Sequence, residues 1–388
     1  MKLSSILQDS ITLKFSELAR EKSHKGEKII SLGLGEPVFE TPQPIIDETV
    51  RALNNGYTRY SNFKGLYELR KLIVDKLTIE YDIVTKPENV IVTPGAKQAI
   101  MLTLMAILEP GDEVINFNPC YISYIPQIKI AEPTSIIHNV DLHKEDFSID
   151  WDKIESLMRR NIKAIILNSP HNPTGQLLTK DDAERFVEIV KKYDIYIISD
   201  EVYDALTYSN MVLYSLGSNS EIKDKVIIIN GFSKTFSMTG WRIGYLVSSN
   251  DHIIKNIVYL QQHLNHHTCT FIQKGACAAF GLSSDYLNSY KMDLKERASF
   301  LCENVASNEK LRIVPPQGGM FAFLDISSSG KRSDDFAYNL LLKKNVAVSP
   351  GIVCGKNWDD HVRISLCAAS KEEFEEGVML IDQFVKDI

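Results

Sequence analysis

Between residues 85 and 250 short apolar runs alternate with amphipathic stretches, and few folds accept that rhythm. "NVIVTPGAKQAIMLTLMAIL" reads as strand, tight turn and helix, and "DEVINF" as a second strand. "KAIILNSPHNPTG" is a third strand that runs into a loop rich in Pro and Asn. "TKDDAERFVEIVKKYD" has a helical period. Thr179 can cap that helix, Asp181 and Asp182 suit its positive end, and Phe186, Val187 and Val190 share one face. "IYIISDEVY" and "KVIIINGFSK" are two further strands. Nearly uniform apolar strands separated by helices predict an α/β chain whose sheet is largely parallel and covered on both faces. Ligands of such sheets bind beyond the carboxyl ends of the strands.

The remainder of the chain reads differently. "SSDYLNSYKMDLKERASFLCENVASN" is a long charged helix, followed by "FAFLDI", a helical "SDDFAYNLLLKKN" and a strand "HVRISLC". This α+β pattern predicts a smaller domain over residues 281–388, a large domain over 41–280, and an N-terminal segment, 1–40, that joins the smaller one. Two units also suit a length of 388 residues, too many for one small core.

Composition excludes several classes. A hydrophobic content of 44% and a charged content of 24% are those of a globular protein. A net charge of −7 without a dense basic cluster argues against a nucleic-acid partner. No apolar stretch approaches the roughly 20 residues that cross a bilayer, so no membrane partner is expected. The start lacks the apolar run of a secretory leader, and the six cysteines are scattered without a C-x-x-C pair. Both features predict a cytoplasmic protein with reduced thiols.

Three polar residues fall just past predicted strands: Asn172, Asp200 and Lys234. They are spaced by about one βα unit each, so the fold class brings an amide, a carboxylate and an amine to one rim. In "TPGAKQA", Gly95 sits at a strand-to-helix turn, where free backbone N–H groups suit a phosphate. Arg242, in "GFSKTFSMTGWRIG", can supply a bidentate countercharge. A ligand that joins these parts carries a phosphate, an aldehyde for Lys234 and a basic ring nitrogen for Asp200. Pyridoxal 5′-phosphate has all three.

With these residues in place, the chain resembles the class I/II aminotransferases of fold type I. "GFSKTFSMTGWRIG" is similar to that family's lysine signature. "YTRYSNFKG", "NSPHNPTG" and "SDEVY" match further blocks, "LGLGEPVFETP" its N-terminal glycine loop, and "VRISLCAAS" its C-terminal arginine block. The resemblance implies a mostly parallel seven-stranded sheet between helices, with a smaller α+β domain beside it. It implies transfer of an amino group between an amino acid and a 2-oxo acid, in ping-pong fashion. Lys234 would form the internal aldimine and shuttle the proton, and Asp200 would pair with the pyridine nitrogen. Asn172 and Tyr203 would hydrogen-bond the phenolic oxygen, and Tyr121 would stack on the ring. Gly95, Ala96 and Lys97 would offer backbone N–H groups to the phosphate, with Arg242 and Ser233 adding side-chain contacts. Tyr60 would reach the phosphate of a partner subunit, which implies a homodimer with shared sites. Arg363 would grip the substrate α-carboxylate, helped by the Gly35 backbone and Asn172.

Some positions stay open. Val38 stands where the family often has Asp, and His171 where it often has Asn, a change expected to bear on the substrate mouth. His263, His266 and His267 lack the carboxylate or Cys company of a metal site, and no metal is expected. His266 or His267 either helps to select the substrate side chain or marks a helix end facing solvent or the dimer seam. No second arginine is assignable to a distal carboxylate. Two other functions compete: a pyridoxal-phosphate lyase or synthase such as a C–S β-lyase, and a non-catalytic regulator of the same fold. A lyase would release ammonia and pyruvate continuously; a regulator would lack the absorbance of a lysine-bound cofactor.

Overall fold

The computed structural model describes residues 11–158, 161–208 and 211–388; residues 1–10 of the predicted N-terminal segment lie outside them. In chain order the helices are α1 (Ile11–His24), α2 (Gln43–Asn54), α3 (Tyr67–Tyr81), α4 (Ala96–Ile107), α5 (Tyr124–Ala131), α6 (Trp151–Leu157), α7 (Lys180–Tyr193), α8 (Asp251–Leu264), α9 (Thr270–Ala279), α10 (Ser284–Ala306), α11 (Ser333–Lys344) and α12 (Lys371–Lys386). The strands are β1 (Ile30–Ser31), β2 (Val90–Thr93), β3 (Glu113–Asn118), β4 (Ile136–Asp141), β5 (Ile162–Asn168), β6 (Tyr196–Asp200), β7 (Val226–Gly231), β8 (Gly244–Ser248), β9 (Arg312–Ile313), β10 (Phe321–Asp325), β11 (Val346–Ala347), β12 (Ser349–Pro350) and β13 (His361–Ser365).

Seven strands form the central sheet in the order β2-β8-β7-β6-β5-β3-β4. The pairs β3–β4, β3–β5, β5–β6 and β6–β7 are parallel, and β8 runs antiparallel to β2 and β7. The sheet is thus mixed, with a parallel body. Alternate residues of each strand feed opposite cores. From β5, Ile165 and Leu167 pack with Phe186 and Ile189 of α7. Ala164 and Ile166 instead join Ile100 and Leu104 of α4 and Ile254 and Ile257 of α8. Burial on both faces is why these strands read as unbroken apolar runs. The start of α7 agrees with its sequence: Thr179 Oγ1 accepts from the Asp182 amide at 3.1 Å, and Asp182 completes a capping box.

A second sheet, β12-β13-β10-β9, is antiparallel throughout. With α10, α11 and α12 it encloses its own core, which includes Leu294, Leu301, Phe336, Leu340, Phe374 and Phe384. β1 pairs in parallel with β11, Ile30 opposite Val346, and Ile30 and Leu32 enter the same core. The segment after β1 then crosses to the large sheet. There Thr41 Oγ1 donates to Ser237 O at 2.8 Å and accepts from Trp241 Nε1 at 3.0 Å. Among the described residues no helix is long and apolar enough to cross a membrane.

Candidate active site

β5, β6 and β7 end side by side, Asn168 opposite Asp200 and Asp200 opposite Ile229. Loops leave those ends, bearing Asn172, Tyr203 and Lys234 around one cavity of about 580 Å³. Gly35, Ala96, Lys97, Tyr121, Asp200, Ser233, Arg242 and Arg363 line it as well. Parallel topology is what gathers these distant positions, as strand ends of one sheet share an edge.

Asp200 is only 5% exposed. Its Oδ2 accepts from the Tyr124 hydroxyl at 2.6 Å, and its Oδ1 from the Val202 amide at 3.3 Å. Burial pushes its carboxyl up to about 6, against the hydroxyl, the amide and the Lys234 charge, which all pull it down. Lys234 Nζ donates to Gly35 O. Burial lowers the pKa of this amine, and the positive charges of Arg363 and Arg242 add to that effect, while Cys367 and Glu36 oppose it. A Cβ on residue 35 would come within 2.8 Å of Phe321 Cζ, so a glycine there lets the backbone approach both Phe321 and the lysine.

Asn172 is fixed from three sides. Its amide donates to Asn168 Oδ1 at 2.7 Å, its Oδ1 accepts from Arg363 Nη1 at 3.1 Å, and its Nδ2 is 3.5 Å from Tyr203 Oη. Asn168 Nδ2 also donates to Asp200 O at 2.8 Å, which ties the two strand ends together. Arg363 projects from β13, donates to Gly33 O at 2.9 Å and lies over the Phe321 ring at 4.2 Å.

The phosphate end is built on α4. Gly95 has φ +87°, and a Cβ there would meet Arg242 Nη2 at 2.5 Å. Only glycine lets the guanidinium settle against this turn. The Ala96 and Lys97 amides open α4 and have no acceptor within their helix. Arg242 Nη1 donates to Thr239 O at 2.7 Å and its Nη2 to Pro94 O at 3.4 Å, which holds the guanidinium against the turn that opens α4.

The cavity therefore has an anion-binding end, an amine of lowered pKa and a buried carboxylate. These groups fit pyridoxal 5′-phosphate: amides and Arg242 for the phosphate, Lys234 for the aldehyde, Asp200 for the ring nitrogen.

Of the predicted residues, Tyr60 stands apart. It is 81% exposed, lies outside this cavity, and stacks on His266 with ring centroids 4.5 Å apart. His267 meets Tyr60 edge-on at 5.5 Å, and His263 packs on Tyr259 at 4.7 Å. None of the three histidines lines the cavity. His171 also misses the substrate mouth: its Nδ1 pairs with Thr174 Oγ1 at 2.8 Å and it faces a second, neighbouring cavity. Trp241 and Phe236 pack against the core, as their apolar character predicts.

Sequence reasoning missed Ile100, Tyr124, Asn168, Val202, Thr239 and Phe321 among the lining residues. Tyr124 follows Tyr121 by three residues in "YISY" and opens α5, and Asn168 ends the third strand, so the strand-end rule reaches Asn168 too.

Comparison with known proteins fits this geometry. A family model described as aminotransferase class I and II matches residues 27–381. The aspartate aminotransferase of Thermotoga maritima is 38% identical over 378 residues, which cover 97% of this chain and 96% of that protein. A crystal structure of an aspartate aminotransferase from Thermotoga maritima superposes with a TM-score of 0.92, covering 99% of both chains at 35% identity. A (5-formylfuran-3-yl)methyl phosphate transaminase of Methanocaldococcus jannaschii is 36% identical and covers 95% of this chain and 94% of its own. The chain belongs to the class I and II aminotransferases. It is an aminotransferase of fold type I, its cofactor is pyridoxal 5′-phosphate, and the comparisons favour amino transfer over the lyase reading.

Proposed function

We propose that the chain moves the α-amino group of a dicarboxylic amino acid, aspartate first among them, to a 2-oxo acid. The observation that carries this reading is the charge of the cavity: Lys97, Lys234, Arg242 and Arg363 line it around the buried Asp200. Arg242 serves the phosphate, Lys234 the chemistry and Arg363 the α-carboxylate. Lys97 is left over. Its Nζ lies 5.7 Å from the Tyr121 ring centroid, and among the described residues no hydrogen bond or ion pair engages it. A second substrate carboxylate would supply that partner. Relatives named aspartate aminotransferase support the choice.

When bound, the cofactor supplies an aldehyde that takes up the amino group and a cationic ring that disperses the electron pair left at Cα. Asp200 would keep the proton on the ring nitrogen, Tyr203 and Asn172 would hydrogen-bond the phenolic oxygen, and Tyr121 would lie against the ring. Arg363 would hold the α-carboxylate in its planar fork and so fix the orientation of the substrate's Cα bonds. Lys234, whose amine burial inclines to the neutral form, would take the Cα proton of the substrate. Ala96 and Lys97 amides, Ser233 and Arg242 would hold the phosphate; the Gly95 amide, expected to join them, instead donates to Thr93 O at 2.7 Å.

Lys97→Ala is expected to lower kcat/KM for aspartate about 10- to 100-fold, the loss of one hydrogen bond to a charged group, and to leave that for alanine nearly unchanged. Steady-state kinetics with both donors checks it; equal losses for both would count against Lys97 as the distal contact.

Tyr60 completes the phosphate site of a second copy in this reading, and the enzyme is a cytoplasmic homodimer. The exposed ring, braced by His266 and His267 outside its own cavity, supports that arrangement. Light scattering is expected to give twice the mass of the chain, and Tyr60→Phe to weaken cofactor retention by about 10-fold. A monomer that holds cofactor as tightly as a dimer would refute it. In this reading residues 41–280 carry the cofactor, and 281–388 with the described part of the N-terminal segment form the smaller domain that closes on the substrate.

A further inference from the structure

Behind the active site lies a second cavity, of about 230 Å³, that no step above uses. It shares two wall residues, Tyr124 and Asn168, with the cofactor cavity. Its floor is apolar and buried, made by Phe117, Leu142, Phe147 and Ile166. Its mouth reaches solvent at Asp146, Ser148 and Thr179. An engineered cavity of about 150 Å³ holds one benzene ring, so this volume suits one or two fused rings.

Charge and hydrogen bonding narrow the occupant. Asp146 and Asp182 line the cavity and no Lys or Arg does, so an anion is disfavoured. Asp182 already serves Trp151 Nε1 at 2.8 Å and the cap of α7. His171 is held neutral by burial, with its pKa lowered to about 4. Asn116, 1% exposed, gives its Nδ2 to Asn118 and Asn139 but leaves its Oδ1 buried without a partner. A buried carbonyl oxygen of this kind wants a donor.

We propose that this cavity binds a small neutral aromatic molecule with one N–H or O–H donor, of the indole or phenol type, seated against the back of Tyr124. The occupant packs on Tyr124 and Asn168, the two residues that hold Asp200 by its Oδ2 and its backbone carbonyl. Occupancy therefore bears on the carboxylate that faces the cofactor ring. The site is an effector site, separate from the one that takes the amino acid.

The test uses holoenzyme crystals soaked in bromoindole, with indole titrated in solution. The expected result is an anomalous bromine peak between Tyr124 and Leu177, a saturable rise in melting temperature, and a change of at least twofold in kcat/KM at saturating indole. Leu177→Trp fills the cavity without touching the cofactor side. It is expected to weaken indole binding more than tenfold and to abolish the change in kcat/KM that added indole causes. Bromine in the cofactor cavity, displacement of indole by aspartate, or full binding in a folded Leu177→Trp would overturn the site. Unchanged kcat/KM at saturation would overturn the link to Asp200. The soak stands by itself if the variant does not fold.

Discussion

Lys234→Ala is expected to lower turnover by about 10⁴-fold, the upper end of what one positioned acid–base group supplies, and to remove the visible absorbance of the lysine-bound cofactor. Three features single this amine out. It follows the end of β7 closely, so the sheet edge delivers it to the cavity. Burial lowers its pKa, with Arg363 and Arg242 adding to that, so a neutral amine costs less here than in water. Its Nζ reaches Gly35 O, on the segment that also brings Gly33 to Arg363. Alanine takes away a base without touching the groups assigned to the phosphate. The variant should therefore still bind the cofactor, and small added amines should restore part of the turnover. Turnover that survives in the variant would overturn the assignment of Lys234.

Asp200→Asn is expected to cost about 10²- to 10³-fold in kcat, the size of losing one preorganised charge at a site where charge develops. Its effect on the cofactor-free protein has the opposite sign. The buried carboxyl is pushed up to about 6 from an ordinary 3.8. The folded value lies above the unfolded one, so the folded chain holds the extra proton between roughly pH 4 and 6. Stability is present below that window and is lost as pH rises through it. The shift of two pKa units corresponds to about 3 kcal/mol. Asparagine stays neutral at every pH and escapes the penalty. The apo variant should thus melt higher than the apo wild type at pH 7.5, and the gap should close towards pH 4. A wild type that is the more stable of the two at pH 7.5 would contradict this account. Bound cofactor should reverse the order, because its ring nitrogen pairs with the carboxylate.

Much of this was legible in the sequence, for physical reasons. β5, β6 and β7 are buried on both faces, so their apolar runs stand out, and the residues just after them are the ones that meet at the cavity. The α7 cap was readable because a Thr followed within three positions by acidic residues, ahead of a helical apolar period, is the pattern that such a cap requires. β4 was not readable. It is an edge strand in which His138 and Asn139 interrupt the run. β8 was hidden by its place directly after the Arg242 turn, and its reversed direction follows from pairing on two sides and not from composition. Tyr124 was missed because its part depends on where α5 lies relative to β6, a tertiary fact. His171 went to the wrong cavity because its loop turns back on Thr174 and Gln176, with the His171 amide donating to Gln176 O at 2.8 Å.

The central claim is tested most directly by adding aspartate alone to the purified holoenzyme and following the cofactor spectrum. Conversion of one cofactor per chain to the pyridoxamine form, with one 2-oxo acid released and reversal on adding 2-oxoglutarate, is the result this account predicts. A spectrum left unchanged by aspartate, with no 2-oxo acid released, would contradict it.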